Sequence, residues 1–358
     1  MASALSTIEG PTAWQGSRID YREDGTRVLS TAEIGEIDAA LHHLLGLGNI
    51  DFPDITPQTF PLPTLSRDLA SLGDELHFGR GFLLLRGLPR ERWSLDDTAR
   101  IYYGLGSHIG RPAPQSYLGE LLGHVIDVSD IETDARGYHK GGSQRMHTDN
   151  CDIVSLACVR SAKEGGISRF VSAAAVHNRL LDERPDLLET LYGDYVFRRM
   201  ERDAEYGNGD LVKQVVIFSR ETGQLTCNVS GSYPHRAVKA GDAVMNPRQI
   251  EALEEMKRVS MAPDLTLDMT IAEGDIQFLN NRTILHGRTG YEDWPDMTRR
   301  RHLMRLWLQM PSWPALPANQ GMHAPSDHPL WLRQRRPFVE LPSRYLAEMS
   351  RRKAELAA

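Results

Sequence analysis

His147-Thr148-Asp149 places an imidazole and a carboxylate at positions i and i+2. On extended backbone such positions project to one side, so both groups can converge on a single point. A third donor has to come from elsewhere. His286 is the best candidate, 139 residues downstream of His147 and just beyond the apolar stretch Ile276-Gln277-Phe278-Leu279. Two histidines and one carboxylate on one face of an octahedral ion leave three positions open. That donor set suits a non-heme Fe(II) oxygenase, which must bind a chelating cosubstrate and O2. His-x-Asp alone does not define such a site, because short motifs arise by chance and a lone histidine is more often structural. Two other readings stay open: a metal-binding protein that senses a ligand without turnover, and a zinc hydrolase. The hydrolase would call for a general-base carboxylate beside the histidines, as in His-Glu-x-x-His, and none is apparent.

A second pattern lies further on. Arg301 and Arg305 are four residues apart on an alternating stretch with Leu303 between them. All three share a face, while Met304, Leu306 and Leu308 take the other. Two guanidinium groups inside a barrel are costly unless each meets an anion. The planar fork of arginine is suited to a carboxylate. The alternative is a pair of surface arginines on an edge strand.

Together these residues resemble the taurine dioxygenase family of 2-oxoglutarate-dependent oxygenases. The matching pieces are His147-Thr148-Asp149, Glu164-Gly165-Gly166-Ile167-Ser168, Asn281-Arg282-Thr283-Ile284-Leu285-His286 and Arg300-Arg301-His302-Leu303-Met304-Arg305, in that order. The likeness spans roughly residues 80 to 310. It implies Fe(II) ligation by His147, Asp149 and His286, with 2-oxoglutarate and O2 as cosubstrates and succinate and CO2 as products. It further implies that Arg301 meets the distal carboxylate of 2-oxoglutarate, helped by the hydroxyl of Ser168, where the family usually has threonine. Arg305 occupies the position that faces the substrate's acidic group in taurine dioxygenase. Which arginine holds the cosubstrate stays open at this point. Retention of Asp149 argues against halogenation. Hydroxylation is the default reaction, with desaturation, ring closure or epimerisation as variants at the same centre. The substrate expected is a small polar molecule, amino-acid-like or a natural-product intermediate, and the chain is expected to be a homo-oligomer.

Other residues are candidates of a lesser kind. His139, Lys140 and Arg145 flank the metal motif in a glycine-containing loop, residues 137–143, that reads either as a substrate lid or as a plain surface loop. Arg145 and Tyr233 are candidate substrate contacts, and His235 and Arg236 could join Tyr233 at the mouth of a barrel. Cys151 shares the alternation of His147 and Asp149 but reads as a small core residue. Ser230-Gly231-Ser232 lacks the Gly-x-Ser-x-Gly of a nucleophile elbow, and His42-His43 reads as solvent-facing.

The elements that must position these groups can be read from periodicity. Ser30-Thr31-Ala32-Glu33 is a capping box for a helix whose buried side carries Ile34, Ile37, Leu41, Leu44 and Leu45. A second helix runs from Ser66 to near Leu76, Phe82 to Leu85 is a buried strand, and Ser94-x-x-Asp97 opens a third helix. Beyond residue 120 short strands recur: 124–128, 153–159, 195–199, 211–219, 224–229, 265–271, 275–279 and 302–310. Gly223 marks a hairpin between two of them. Asn246 caps a helix that begins at Pro247 and buries Ile250, Leu253, Met256 and Val259. Another helix lies between Ser172 and Leu181, and a last one between Ser343 and Glu355.

Many short strands with few crossover helices argue against a doubly wound parallel sheet and for a sandwich or barrel. The expectation is a mainly β fold with helical additions and a jelly-roll (double-stranded β-helix) core. The whole of 1–358 reads as one oxygenase domain: a mainly helical layer over 1–110, the core with helical insertions over 120–310, and a tail over 311–358 that covers the core or joins a subunit contact.

Composition bounds the rest. With 358 residues, 41% hydrophobic and 25% charged, the chain can bury a core large enough to enclose a small-molecule site. A net charge of -7 without a basic face argues against nucleic acid and membrane-surface partners. Three cysteines cannot form a disulfide framework, and no run approaches the roughly 18 apolar residues of a membrane span. The expected location is cytoplasmic.

Overall fold

Strands Ile153–Arg160 and His302–Gln309 pair antiparallel along nearly their whole length, from Leu308 opposite Ile153 to His302 opposite Arg160. They sit inside a seven-stranded sheet in the order Thr26–Val28, Phe82–Arg86, Ile276–Asn280, Ile153–Arg160, His302–Gln309, Arg111–Pro112, with Leu122–Val125 also paired to His302–Gln309. A four-stranded sheet runs Thr266–Met269, Ser168–Ser172, Ile284–Arg288, Gln144–His147. The architecture is mostly sheet with helices added. The structure, a computed structural model, describes residues 5–130, 137–230, 232–321 and 327–335, and single positions between 347 and 355.

The alternation of side chains sorts the residues into layers. Met304, Leu306 and Leu308 leave the large sheet on one face and pack with Ile37, Leu69 and Leu105 of helices Thr31–Gly46, Leu65–Phe78 and Leu95–Ile109. Val154, Leu279 and Trp307 leave on the other and meet Phe170, Leu267 and Ile284 of the small sheet. The far face of the small sheet sends Val171 and Leu285 into helices Ala173–Glu183, Pro185–Leu191 and Pro247–Ser260. Both sheets are thus covered on both faces. That is why their strands read as near-continuous apolar runs rather than clean alternations.

The caps stand where the sequence puts them. Ser30 and Glu33 form a capping box, Ser94 accepts from the Asp97 amide, and Asn246 with Gln249 caps the helix that starts at Pro247. Ser172 ends a strand and caps the next helix through the Ala175 amide. The hairpin Phe218–Ser219 with Thr226–Cys227 turns through Gly223 at φ 86°.

Other details differ from the sequence reading. Leu45 and Ile250, expected on buried faces, are 45% and 44% exposed, because each helix buries a narrower stripe than its apolar count suggests. The expected 124–128 strand is Leu122–Val125. Strands Ser168–Ser172 and Ile284–Arg288 and helix Tyr233–Ala240 were not anticipated. The first 110 residues are not only a helical layer, since Thr26–Val28 and Phe82–Arg86 complete one edge of the large sheet. Of the tail, helix Asp327–Gln334 packs inward through a fully buried Trp331, and Arg335 pairs with Asp51. The helix expected over 343–355 lies largely outside the described residues. No helix among the described residues is long and apolar enough to cross a membrane.

Phe170 is the contact that joins the sheets: it is fully buried, with ring centroids 5.9 Å from Trp14 and 5.2 Å from Phe82. Phe170→Ala is expected to lower stability by about 3–5 kcal/mol, read as a fall in the urea midpoint at unchanged slope.

Candidate metal and cosubstrate site

Register brings the early and late halves of the metal motif together. His286 stands directly opposite His147 on neighbouring antiparallel strands, with their ring centroids 4.4 Å apart. Asp149 follows in the loop beyond the strand. Its Oδ1 lies 3.8 Å from His147 Nε2 and its Oδ2 3.7 Å from His286 Nε2. One donor atom from each residue falls within 4.8 Å of the other two, and among the described residues no other His, Cys, Asp or Glu cluster offers this.

Each donor is held in place. His147 Nδ1 donates to the Arg145 carbonyl at 2.9 Å, which fixes the tautomer and leaves the Nε2 lone pair facing the carboxylate. Asn281 clamps the Asp149 loop: its Oδ1 accepts from the Asp149 amide at 2.8 Å, and its Nδ2 donates to the carbonyls of Asp149 at 2.6 Å and Cys151 at 2.8 Å. Thr148 is locked by a reciprocal pair of bonds with Val229. Trp307 Nε1 donates to Asp149 Oδ2 at 3.1 Å and sets the plane of the carboxylate.

The electrostatics suit a cation. Burial works to raise the Asp149 pKa, but the Arg305 guanidinium and both imidazoles outweigh it and hold the group well below the usual carboxylate range. Burial, and then His286, bring His147 down to about 4, so its imidazole is neutral and able to ligate. Two imidazoles and an ionised carboxylate, pre-oriented around one point, fit a divalent iron. Cys151 is buried, and burial followed by the Asp149 charge pushes its thiol well up, as befits a core residue rather than a thiolate.

The arginines line the same cavity. A small cleft of about 50 Å³ is bounded by the triad together with Ser168, Arg288, Arg301 and Arg305. Arg305 is committed on several sides. Its Nε donates to Gln115 Oε1 at 2.7 Å, Gln115 Nε2 donates back to the Arg305 carbonyl at 2.9 Å, and Nη1 lies 3.7 Å from Asp149 Oδ2. Its guanidinium also lies over Tyr138 at 4.4 Å and Trp307 at 5.1 Å. Arg301 is different. It is 5% exposed, and among the described residues its Nη2 reaches only the Gly166 carbonyl at 3.4 Å and its Nη1 makes no hydrogen bond. Burial, with Arg288 next, lowers its pKa to about 10.

The Gly165-Gly166 pair explains how Arg301 gets there. Both glycines have positive φ, at 77° and 71°, and a Cβ on Gly166 would stand 2.9 Å from Arg301 Nε. Ser168 Oγ donates to Gln277 Oε1 at 3.0 Å beside them.

The edge-strand alternative for the arginines is not what the fold contains, since His302–Gln309 lies between neighbours on both sides. The candidate substrate contacts fare otherwise. Arg145 is exposed at a bulge of its strand, and Tyr233 packs against Phe197 from helix Tyr233–Ala240; neither lines a cavity at the triad. His235 is exposed and Arg236 pairs with Glu201. The loop that read as a lid is tied down, since Arg288 Nη2 donates to the carbonyls of Lys140 at 2.7 Å and Gly142 at 2.6 Å. Arg288, Asn281, Gln115 and Trp307 were missed as site residues. For Arg288 the signal was present, because it stands two residues after His286 and so on the same face.

A larger cavity of about 590 Å³ shares Asp149 with the first and opens outward past Asn150, Asn228, Lys213, Met310, Trp313 and Leu316.

Comparison with known proteins agrees with this geometry. The family model described as taurine catabolism dioxygenase TauD, TfdA family matches residues 49–307. The chain is 31% identical over 310 residues to the taurine hydroxylase-like protein SAT17 of Stachybotrys chartarum, covering 82% of this chain and 77% of that one. It is 26% identical to the FR-33289 synthase of Streptomyces rubellomurinus, over 88% of this chain and 94% of that one. Among solved structures, an asparagine oxygenase in complex with Fe(II), 2S,3S-3-hydroxyasparagine and succinate superposes at a TM-score of 0.62 and 18% identity, over 79% of this chain and 93% of that one. The non-heme iron oxygenase OrfP in complex with Fe and alpha-ketoglutaric acid gives 0.56 and 15% over 79% and 94%.

Removing the Asn281 clamp should loosen Asp149 without touching a donor atom. Asn281→Ala is expected to weaken Co(II) binding about 10- to 100-fold, followed by the visible absorption of the bound ion. Its urea midpoint should fall less than that of Phe170→Ala.

Proposed function

The chain belongs to the taurine catabolism dioxygenase TauD, TfdA family and is a 2-oxoglutarate-dependent non-heme iron dioxygenase; on that footing we propose that it hydroxylates a small, amino-acid-like molecule. Bound iron, with 2-oxoglutarate and O2, supplies the oxidising power, and succinate and CO2 are released. The protein's own part is to hold, orient and keep dry. His147, Asp149 and His286 hold the metal from one side. Arg301, with the Ser168 hydroxyl beside it, takes the distal carboxylate of the cosubstrate. The observation that carries this reading is a buried guanidinium with an unpartnered Nη1, in the same cleft as two imidazoles and a carboxylate. A buried charge left so costs several kcal/mol, and an incoming carboxylate relieves it.

Arg305 does other work. Its bonds to Gln115 and its approach to Asp149 leave it poorly placed to give a full fork to the cosubstrate. It balances the Asp149 charge and offers its remaining edge to an acidic group of the substrate. Val125, Val154, Leu156 and Leu303 line the cleft and exclude water from it. The larger cavity beyond Asp149 takes the body of the substrate, whose acidic group reaches past Asp149 toward Arg305 in the small cleft. An amino-acid-like substrate accords with the solved structures of similar fold, one with 3-hydroxyasparagine and another with (3S)-hydroxy-L-arginine bound. We read the facing sheets as a double-stranded β-helix, and the chain as one domain acting in the cytoplasm.

The reading is checked without knowing the substrate. Anaerobic addition of Fe(II) and 2-oxoglutarate should give a weak visible charge-transfer band, absent in His147→Ala, and succinate should appear when oxygen is admitted. Arg301→Gln should raise the 2-oxoglutarate needed for the band by about 10- to 100-fold while iron loading stays near wild type. Equal loss of both would make Arg301 structural.

A further inference from the structure

Arg288 stands two residues after His286 on the same strand, directly opposite Ser168 in register. It is 6% exposed and lines the small cleft. One of its nitrogens, Nη2, is used twice, on the carbonyls of Lys140 and Gly142. Its Nε and Nη1 are buried and make no hydrogen bond among the described residues, and the same holds for Nη1 of Arg301. The two guanidinium groups lie against one ring, with their Cζ atoms 4.6 Å and 5.1 Å from the centroid of Tyr291. The side-chain bonds that Arg288 and Arg301 make among the described residues go to neutral carbonyls.

Two like charges buried side by side repel each other, and neither makes an ion pair among the described residues; the pulls of Asp127 on Arg288 and of Asp293 on Arg301 are outweighed by burial. Carbonyl oxygens satisfy single protons but not a formal charge. A carboxylate between the two guanidinium groups, accepting from the Nη1 of each, would meet both needs. We propose that Arg288 and Arg301 together form the receptor for the distal carboxylate of the cosubstrate, and that Arg288 links its occupancy to the loop at 140–142. This rests on the reading that the cleft takes 2-oxoglutarate. The link has a short path, since the loop held by Arg288 runs straight into strand Gln144–His147, which carries His147.

Glutarate isolates the receptor, because it has the distal carboxylate but no keto acid to chelate a metal. Its binding to the metal-free protein is measured by calorimetry for wild type, Arg288→Gln, Arg288→Lys and Arg301→Gln, with circular dichroism as the check on folding. Trypsin cleavage after Lys140, an exposed residue, reports the loop. Arg288→Gln should weaken glutarate at least about tenfold, and glutarate should slow cleavage after Lys140 in wild type but not in the variant. Arg288→Lys keeps the charge without the planar guanidinium; it should weaken binding several-fold and lose the protection even if the glutamine variant folds poorly. Wild-type affinity and protection in both Arg288 variants, with loss only in Arg301→Gln, would overturn the role of Arg288 and leave that of Arg301 standing. Glutarate binding that ignores both arginines, or no binding to wild type at millimolar concentration, would instead remove the cosubstrate reading of the cleft.

Discussion

The pairing of Ile284–Arg288 with Gln144–His147 is the constraint on which the site depends. With His286 opposite His147, the two imidazoles share the inner face of the small sheet. A slip of one residue would carry His286 to the outer face, among the helices, and bring Leu285 inward. The register is fixed by what lies on each side. Phe170 opposite His286 belongs to the layer between the sheets, whereas Val171 and Leu285 belong to the helical layer behind. The polar centre is therefore placed by its apolar neighbours. Asn281 then completes it by tying the Asp149 loop to the turn that begins the late strand.

A second constraint is charge. The cleft contains Arg288, Arg301 and Arg305 against the single carboxylate of Asp149. An interior of this kind is unfavourable while it stands alone and becomes favourable when an anion enters. The three arginines do not divide the burden equally. Arg305 is stacked, hydrogen-bonded and close to Asp149, so its charge is spent on organising the metal side. Arg301 and Arg288 reach mainly backbone carbonyls, so theirs is available. The protein thus stores an unmet electrostatic demand at one end of the cleft and a pre-formed donor set at the other. A molecule with a carboxylate at each end and a keto group beside one of them answers both.

How much of this the sequence discloses depends on whether the cause is local. Caps and turns are local, and Ser30, Ser94, Asn246 and Gly223 act where their types predict. The period-2 rule is local too, and it correctly set Arg301, Leu303 and Arg305 on one face against Met304, Leu306 and Leu308. The same rule applied one step past His286 would have found Arg288. What the sequence could not give is contact between distant segments. Asn281 and Gln115 matter through partners 132 and 190 residues away; Asn281 stands in a family motif, but nothing local tells what it or Gln115 holds. Arg145 and Tyr233 were chosen for proximity in sequence to the metal motif and the hairpin, and neither is among the residues lining the two cavities at Asp149. Strand Ile284–Arg288 escaped notice because His286, Gly287 and Arg288 break its apolar run, and these are the residues the site requires.

The two cavities around Asp149 show a division that follows from the same physics. The small cleft is walled mostly by strand residues, whose positions are set by hydrogen-bonded register, with Tyr138, Asp149 and Arg301 just outside the strands. Rigid walls suit groups that must stay within a fraction of an ångström, as metal donors and a carboxylate receptor must. The larger cavity takes its walls from irregular chain: the segment from Met310 to Gly321 and the stretch around Asn228. Such segments can change length and composition without shifting the register of a strand. The motifs shared with the family accordingly fall on the cleft, while residues beyond 307 lie outside the family match. On the function proposed above, chemistry is held by the sheets, and the choice of substrate falls to the loops and the C-terminal segment that face them across Asp149.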